Sequence, residues 1–161
     1  MIVRDETPGD HEAVRAVVSA AFGQDGEAGL VSALHQAGDA IIALAAEEDG
    51  RVVGHVLLSR MAAPFPALAL APVSVAPDRQ GLGIGSALVR AALERARSEG
   101  WVGVFVLGDP GYYTRFGFSI AAAAGFSSPY AGPHFMLLAL TEPLPASEGE
   151  LRHAPAFGAL D

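Results

Sequence analysis

The 161-residue chain contains no cysteine. Disulfides, thiolate metal sites and a cysteinyl acyl-enzyme are therefore excluded, and a cytoplasmic setting fits. Charge is scarce, at 17% of residues against 51% hydrophobic, which argues for a well-packed globule rather than disorder. Basic residues are the scarcer kind, 10 against 18 acidic, and the net charge of −8 disfavours nucleic acid as a partner. No apolar run approaches about 18 residues, so no membrane-spanning helix is expected. The first residues, Met1-Ile2-Val3-Arg4-Asp5, lack the basic start and apolar stretch of a signal peptide. No cluster of His, Asp and Glu has metal-ligand spacing, so no metal is expected. The length suits one domain with a sizeable core.

The chain is organised around residues 68–86. An apolar run over 68–75 has the length and alternation of a buried strand, and a turn at Ala76-Pro77-Asp78 follows. Then come Gln80-Gly81-Leu82-Gly83-Ile84-Gly85 and a helix-period segment over 83–99. Strand, glycine loop and helix in that order aim free backbone N–H groups at one point, a cradle for an anion such as phosphate. A Walker loop is excluded because no lysine stands between Gly85 and Ser86. A dinucleotide fingerprint is weakened because Ser86 occupies the third glycine's place, although the next strand does lead to Asp109.

Gln80-x-x-Gly83-x-Gly85, preceded by Val73-x-Val75-x-Pro77, resembles the acyl-CoA pyrophosphate motif of the GNAT superfamily of N-acetyltransferases. A second block, from Gly108-Asp109-Pro110-Gly111-Tyr112-Tyr113 to Arg115-Phe116-Gly117-Phe118, is similar to the later motif of that family. The resemblance covers residues 1–140 and leaves 141–161 as a tail, expected to pack on the domain. It implies an α/β (α+β) domain whose mixed, mostly antiparallel sheet splays between strands 4 and 5 and is flanked by helices. It implies acetyl-CoA as acyl donor, with the pyrophosphate on the backbone of Gln80, Gly81, Leu82, Gly83, Ile84, Gly85 and Ser86. The pantetheine arm would run along Val73, Ser74 and Val75, and Tyr113 would donate to the CoA sulfur. The implied partner is a small-molecule or peptide amine, with the enzyme a monomer or homodimer.

The remaining pattern fits around these blocks. Residues 2–4 read as a first strand, and Thr7-Pro8-Gly9-Asp10 as a helix start with Thr7 able to cap. Val14, Val17, Val18 and Ala21 make one buried face, and a second helix is expected over 27–37. Residues 40–46 and 51–59 form a hairpin about Asp49-Gly50. Pro72 cannot donate to a ladder, so an edge, a bulge or a gap in pairing is expected there. A strand over 102–107 lies parallel to the central one, because a helix joins them. Strands over 118–126 and 134–140 complete the sheet, with a loop between them.

Acetyl transfer to an amine needs a polarised thioester carbonyl, an acceptor that loses its proton and a protonated leaving thiolate. The phenol of Tyr113 suits the last task, while Tyr112 reads as packing. No glutamate lies in the central strand to act as base; Glu47, Glu48, His55, Asp109 and His134 are the candidates by proximity. Asp109 equally suits a helix cap, and His55 a buried structural role. The rival from another class is a non-catalytic CoA-binding module.

Overall fold

The computed structural model describes residues 1–160. The chain opens on β1 (Ile2–Asp5) and turns through a 3₁₀ segment (Pro8–Asp10) into α1 (His11–Phe22). It continues through α2 (Gly26–Gln36), β2 (Ala40–Glu48), β3 (Arg51–Ala62) and β4 (Ala67–Val75). A 3₁₀ turn (Pro77–Arg79) then leads to α3 (Ile84–Ser98), β5 (Gly103–Leu107) and α4 (Pro110–Tyr113). Short elements complete the chain: α5 (Ile120–Ala123), β6 (Phe126–Ser127), β7 (Phe135–Ala139), β8 (Gly149–Glu150) and β9 (Arg152–His153).

Local chemistry sets the boundaries. The N–H and hydroxyl of Thr7 both donate to the Asp10 carboxylate, at 2.8 and 3.0 Å, and close the turn that feeds α1. Thr7 thus serves this helix start as a donor. Gly23 ends α1 at a φ of 70°, its N–H returning to the Ser19 carbonyl at 2.8 Å. Asp49 and Gly50 both take positive φ, 50° and 78°, as the tight hairpin between β2 and β3 requires.

The main sheet runs β1-β2-β3-β4-β5-β7. Its β4–β5 pair is parallel and the other pairs are antiparallel, the mixed sheet expected. One face is covered by α1 and α2, which bring Val14, Val18, Leu30 and Leu34 against Leu57 and Phe105. The other is covered by α3, which brings Leu88, Val89 and Ala92 against Leu58, Leu68 and Val104. Burying each such aliphatic side chain contributes about 1.5–3 kcal/mol, so both faces of the sheet are held.

Between β3 and β4 the register moves from Val56↔Val73 to Leu58↔Leu70. Ala71 and Pro72 therefore stand against the single residue Leu57, a bulge at the proline. The strand expected over 118–126 does not form. Ser119 makes one isolated bridge to Leu137, and its hydroxyl then accepts the Ala122 N–H at 3.1 Å to start α5. A serine cap followed by an isoleucine and alanines favours a helical turn over an extended run.

At the C-terminal end, β9 pairs with β3 through Met61↔His153 and Ala62↔Arg152, beyond the last β2 partner at Ser59. Leu151, Ala154 and Phe157 are buried beside α2 and the sheet.

Candidate active site

Parallel pairing of β4 and β5 covers only Ala67↔Gly103, Leu68↔Val104 and Ala69↔Phe105. Beyond Ala69 the strands part: β4 stays on β3 through Val73, Ser74 and Val75, while Val106 and Leu107 stay on β7. The edge of β4 facing β5 is left without a strand from the bulge onward. A cavity of about 500 Å³ opens there. Its walls are Leu70 to Val73 from β4 and Phe105 to Leu107 from β5. Phe22, Glu27 and Leu30 close it from the helices, and Tyr113, Tyr130, His153 and Phe157 from the second half. A shallower cavity of about 650 Å³ adjoins it and shares Tyr130, His153 and Phe157.

The glycine loop sits at the end of the same strand. Gly81 and Gly83 take φ of 78° and 84°, and a Cβ on either would meet nothing within 4 Å. Backbone conformation, not crowding, is what demands glycine there. The first helical bond of α3 runs from the Ala87 N–H to the Gly83 carbonyl at 3.0 Å. The N–H groups of Ile84, Gly85 and Ser86 thus have no partner within the helix, and no acidic residue stands in its first turn. Gln80 folds back, its side-chain amide donating to the Val75 carbonyl at 3.1 Å. Leu82 is 61% exposed, while Ile84, the first residue of α3, is buried against the sheet and offers the cradle only its backbone. Ser74 points into the sheet core opposite His55, and its hydroxyl has no partner.

The second block docks against the loop. Asp109 caps α4, accepting the Gly111 N–H at 2.9 Å. Tyr112 is more than packing: its hydroxyl lies 2.9 Å from Ser86 Oγ. The Arg115 guanidinium stacks 4.5 Å over the Tyr112 ring and donates to the Tyr112 carbonyl at 2.9 Å. Tyr113 turns the other way, into the cleft, edge-on to Phe118 and Tyr112. A Cβ on Gly108 would come within 2.5 Å of the Tyr113 ring, so this glycine makes room for it. Burial, assisted by the neighbouring Tyr112, pushes the Tyr113 phenol up to about 12.

None of the base candidates read from sequence is on the cleft wall. Glu47 pairs with Arg4 at 2.9 Å and Glu48 with Arg79 at 2.7 Å. His55 is fully buried on Glu6, Asp109 is the cap, and His134 lies exposed with Nδ1 3.3 Å from the Gly108 carbonyl. The ionisable groups that do line it include two that sequence reasoning missed, Glu27 and His153. Glu27 is held by the Gln24 amide at 3.0 and 3.2 Å. His153 is lowered to about 4 by burial, so it is neutral at pH 7, and its Nδ1 has no hydrogen-bond partner. Neither belongs to a motif. Glu27 sits at a helix start like many solvated glutamates, and His153 reaches the cleft only because β9 adds to β3.

Known proteins share this arrangement. The sequence model of the acetyltransferase (GNAT) family matches residues 11–118. The uncharacterized N-acetyltransferase YjhQ of Escherichia coli strain K12 is 36% identical over 159 residues, covering 90% of this chain and 87% of its own length. The crystal structure of the E. coli GNAT family N-acetyltransferase YhbS in complex with CoA superposes with a TM-score of 0.91 at 29% identity, covering 98% of this chain and 91% of that one. A GNAT family acetyltransferase from Brucella melitensis in complex with acetyl-CoA gives a TM-score of 0.83 at 36% identity, covering 97% of each chain. A parted parallel strand pair, a glycine loop on a helix N-terminus and a tyrosine between them thus coincide with matches over most of the length: the chain belongs to the GNAT family of acetyltransferases.

Proposed function

We propose that this N-acetyltransferase moves an acetyl group from acetyl-CoA to a primary amine, both held together in the cleft between β4 and β5. The observation that carries the reading is the parting of those strands after Ala69 and Phe105, beside an α3 N-terminus free of acidic groups. The residues present fit the donor. Unbonded N–H groups at Ile84, Gly85 and Ser86 suit a pyrophosphate. The bare edge of β4 suits an extended amide chain laid along Val73 to Val75 like an added strand. When bound, acetyl-CoA supplies the thioester as electrophile.

The acceptor ammonium sheds one proton before it attacks as the amine and a second on its way to the amide. The departing thiolate takes up one, so one proton leaves to solvent. Tyr113 donates at the sulfur. Glu27 supplies the wall's negative charge, holds the ammonium and takes its proton. With both reactants oriented in one cleft, no covalent enzyme intermediate is required. The acceptor is a small-molecule or peptide amine, and the enzyme works as a monomer or homodimer in the cytoplasm, where the donor is at hand.

Thermal shift and thiol release test the reading together. Acetyl-CoA should raise the melting temperature, with stabilisation of about 2.7 kcal/mol at a hundredfold excess over Kd. Free thiol should then appear only when an amine is added. The chain has no lysine, so side-chain self-acetylation does not mask that signal. A shift without acceptor-dependent thiol across a broad amine panel would mark a CoA-binding module. A shift with NAD or ATP and none with CoA would overturn the reading of the loop.

A further inference from the structure

At the end of the α1–α2 pair remote from Phe22 and Glu27, the fold gathers one carboxylate and three imidazoles. Glu6, just after β1, has a side chain only 2% exposed. Its Oε1 lies 2.7 Å from His55 Nε2 and 3.1 Å from His35 Nε2. Its Oε2 has no hydrogen-bond partner and faces His11 Nε2 at 3.6 Å. The groove over these groups is small, about 110 Å³, and His11 stands at its mouth with 55% of its side chain exposed.

We propose that Glu6, His11 and His35 form a binding site for a borderline divalent cation of the zinc class, with His55 holding the carboxylate in place. A buried carboxylate is costly unless a positive charge or a full set of donors meets it. Here Oε1 is met twice and Oε2 not at all. Arg15 lines the groove yet turns its guanidinium to Ser32 Oγ at 3.0 Å instead of the carboxylate. The orphaned oxygen is therefore open toward the groove mouth, where a cation between Glu6, His11 and His35 would meet it.

The spacing suits that class. Donors at about 2.0–2.1 Å around a tetrahedral zinc ion stand about 3.3 Å apart. One donor atom from each of Glu6, His11 and His35 lies within 4.8 Å of the others, with His35 Nε2 3.1 Å from Oε1 and His11 Nε2 3.6 Å from Oε2. A bound ion would draw them together by about an ångström. Two imidazole nitrogens and one carboxylate oxygen are a zinc-like set, whereas magnesium and calcium prefer oxygen alone. The Nε2–H of His55 donates to Oε1, the kind of outer hydrogen bond that orients a ligating carboxylate. A fourth, solvent position remains at the exposed mouth beside His11. Ligands 5 and 24 residues apart make no compact motif, which is why the sequence carried no expectation of a metal. A bound ion would tie the β1–α1 turn to the last turn of α2 and leave the cleft untouched.

The test uses the full chain, freed of metal with EDTA and titrated separately with Zn²⁺, Co²⁺ and Mg²⁺. Zn²⁺ should bind one per chain and raise the melting temperature, Co²⁺ should develop visible d–d absorption, and Mg²⁺ should do neither. The His11 side chain is exposed and makes no hydrogen bond, so His11→Ala should fold like wild type while losing at least about 100-fold in Zn²⁺ affinity. His35→Gln, which keeps a donor toward Glu6, should lose as much, and His134→Ala, remote from the groove, should lose nothing. Equal affinity in wild type and His11→Ala, no Co²⁺ absorption, or a preference for Mg²⁺ would each overturn the proposal.

Discussion

The phenol of Tyr113 is an acid only in relation to what it faces. Held at about 12, it keeps its proton at any pH an assay would use. Its folded-state value lies above the ordinary one near 10, so the donating form is lost only as pH rises through about 12. Transfer to an ordinary thiolate of pKa about 8.5 would run uphill. A thiolate brought into the same dry surroundings is raised too, which narrows the gap. Tyr113→Phe keeps the ring that Gly108 accommodates and removes only the hydroxyl. Its kcat should fall by roughly 10²–10⁴-fold, the usual contribution of general acid catalysis, with the melting temperature near wild type. Below pH 11 the wild-type profile should show no falling limb assignable to this group. Tyr112→Phe breaks the contact with Ser86, so its loss should appear mainly as a raised KM for the donor. Retention of nearly full kcat by Tyr113→Phe, with chemistry rate-limiting, would remove Tyr113 from the mechanism. The position of Tyr113 was legible in the sequence because it lies inside a contiguous block, whereas Tyr112 read as packing because its partner Ser86 stands 26 residues away. Glu27 and His153 were not legible, since only the packing of α2 and the late β9–β3 pairing bring them to one wall.

Among the elements, the strand–loop–helix unit β4–α3 was read almost to the residue, and the segment after α4 was not. Glycines at 81, 83 and 85, a proline in the strand and a helical period are local signals that act on their own neighbours. Residues 118–126 carry a local signal of the opposite kind, a serine cap with a run of alanines, and it makes a helical turn where a strand was expected. The loop reading yields a sharp test. Gly83 holds a φ of 84° with open space around its Cβ position, so Gly83→Val adds strain without a clash. A left-handed residue costs about 1–2 kcal/mol, which at this chain length lowers the melting temperature by roughly 2–8 °C. The larger effect should be on the donor, because the chain must leave the conformation that aims the α3 N–H groups. The acetyl-CoA-dependent shift should vanish while circular dichroism stays native. A Gly83→Val protein that still binds acetyl-CoA like wild type would remove the cradle from the site.

For the molecule as a whole, a net charge of −8 is carried without lysine, and arginines answer many of the acids locally, as Arg4 does Asp10 and Glu47. The field that remains should draw cationic acceptors inward. For a polyamine-like or basic peptide acceptor, kcat/KM should drop as ionic strength rises, because screening shortens to about 8 Å at physiological salt. For an uncharged amine it should stay flat. Identical salt responses from both acceptors would deny any steering by net charge.

The bare edge of β4 has a second consequence. An unpaired strand edge is a template for a neighbouring chain as much as for a ligand, and proteins blunt such edges to avoid aggregating. Here the blunting is partial. Pro72 removes one donor at the bulge, and β5 flanks the edge without pairing to it. On the proposed reading, what completes the edge is the extended amide arm of the donor, which stays on CoA after the acetyl group has left. Donor and product then cover the edge alike, and the strand should be open to a neighbouring chain only when the cleft is empty. CoA as well as acetyl-CoA should therefore suppress self-association in light scattering.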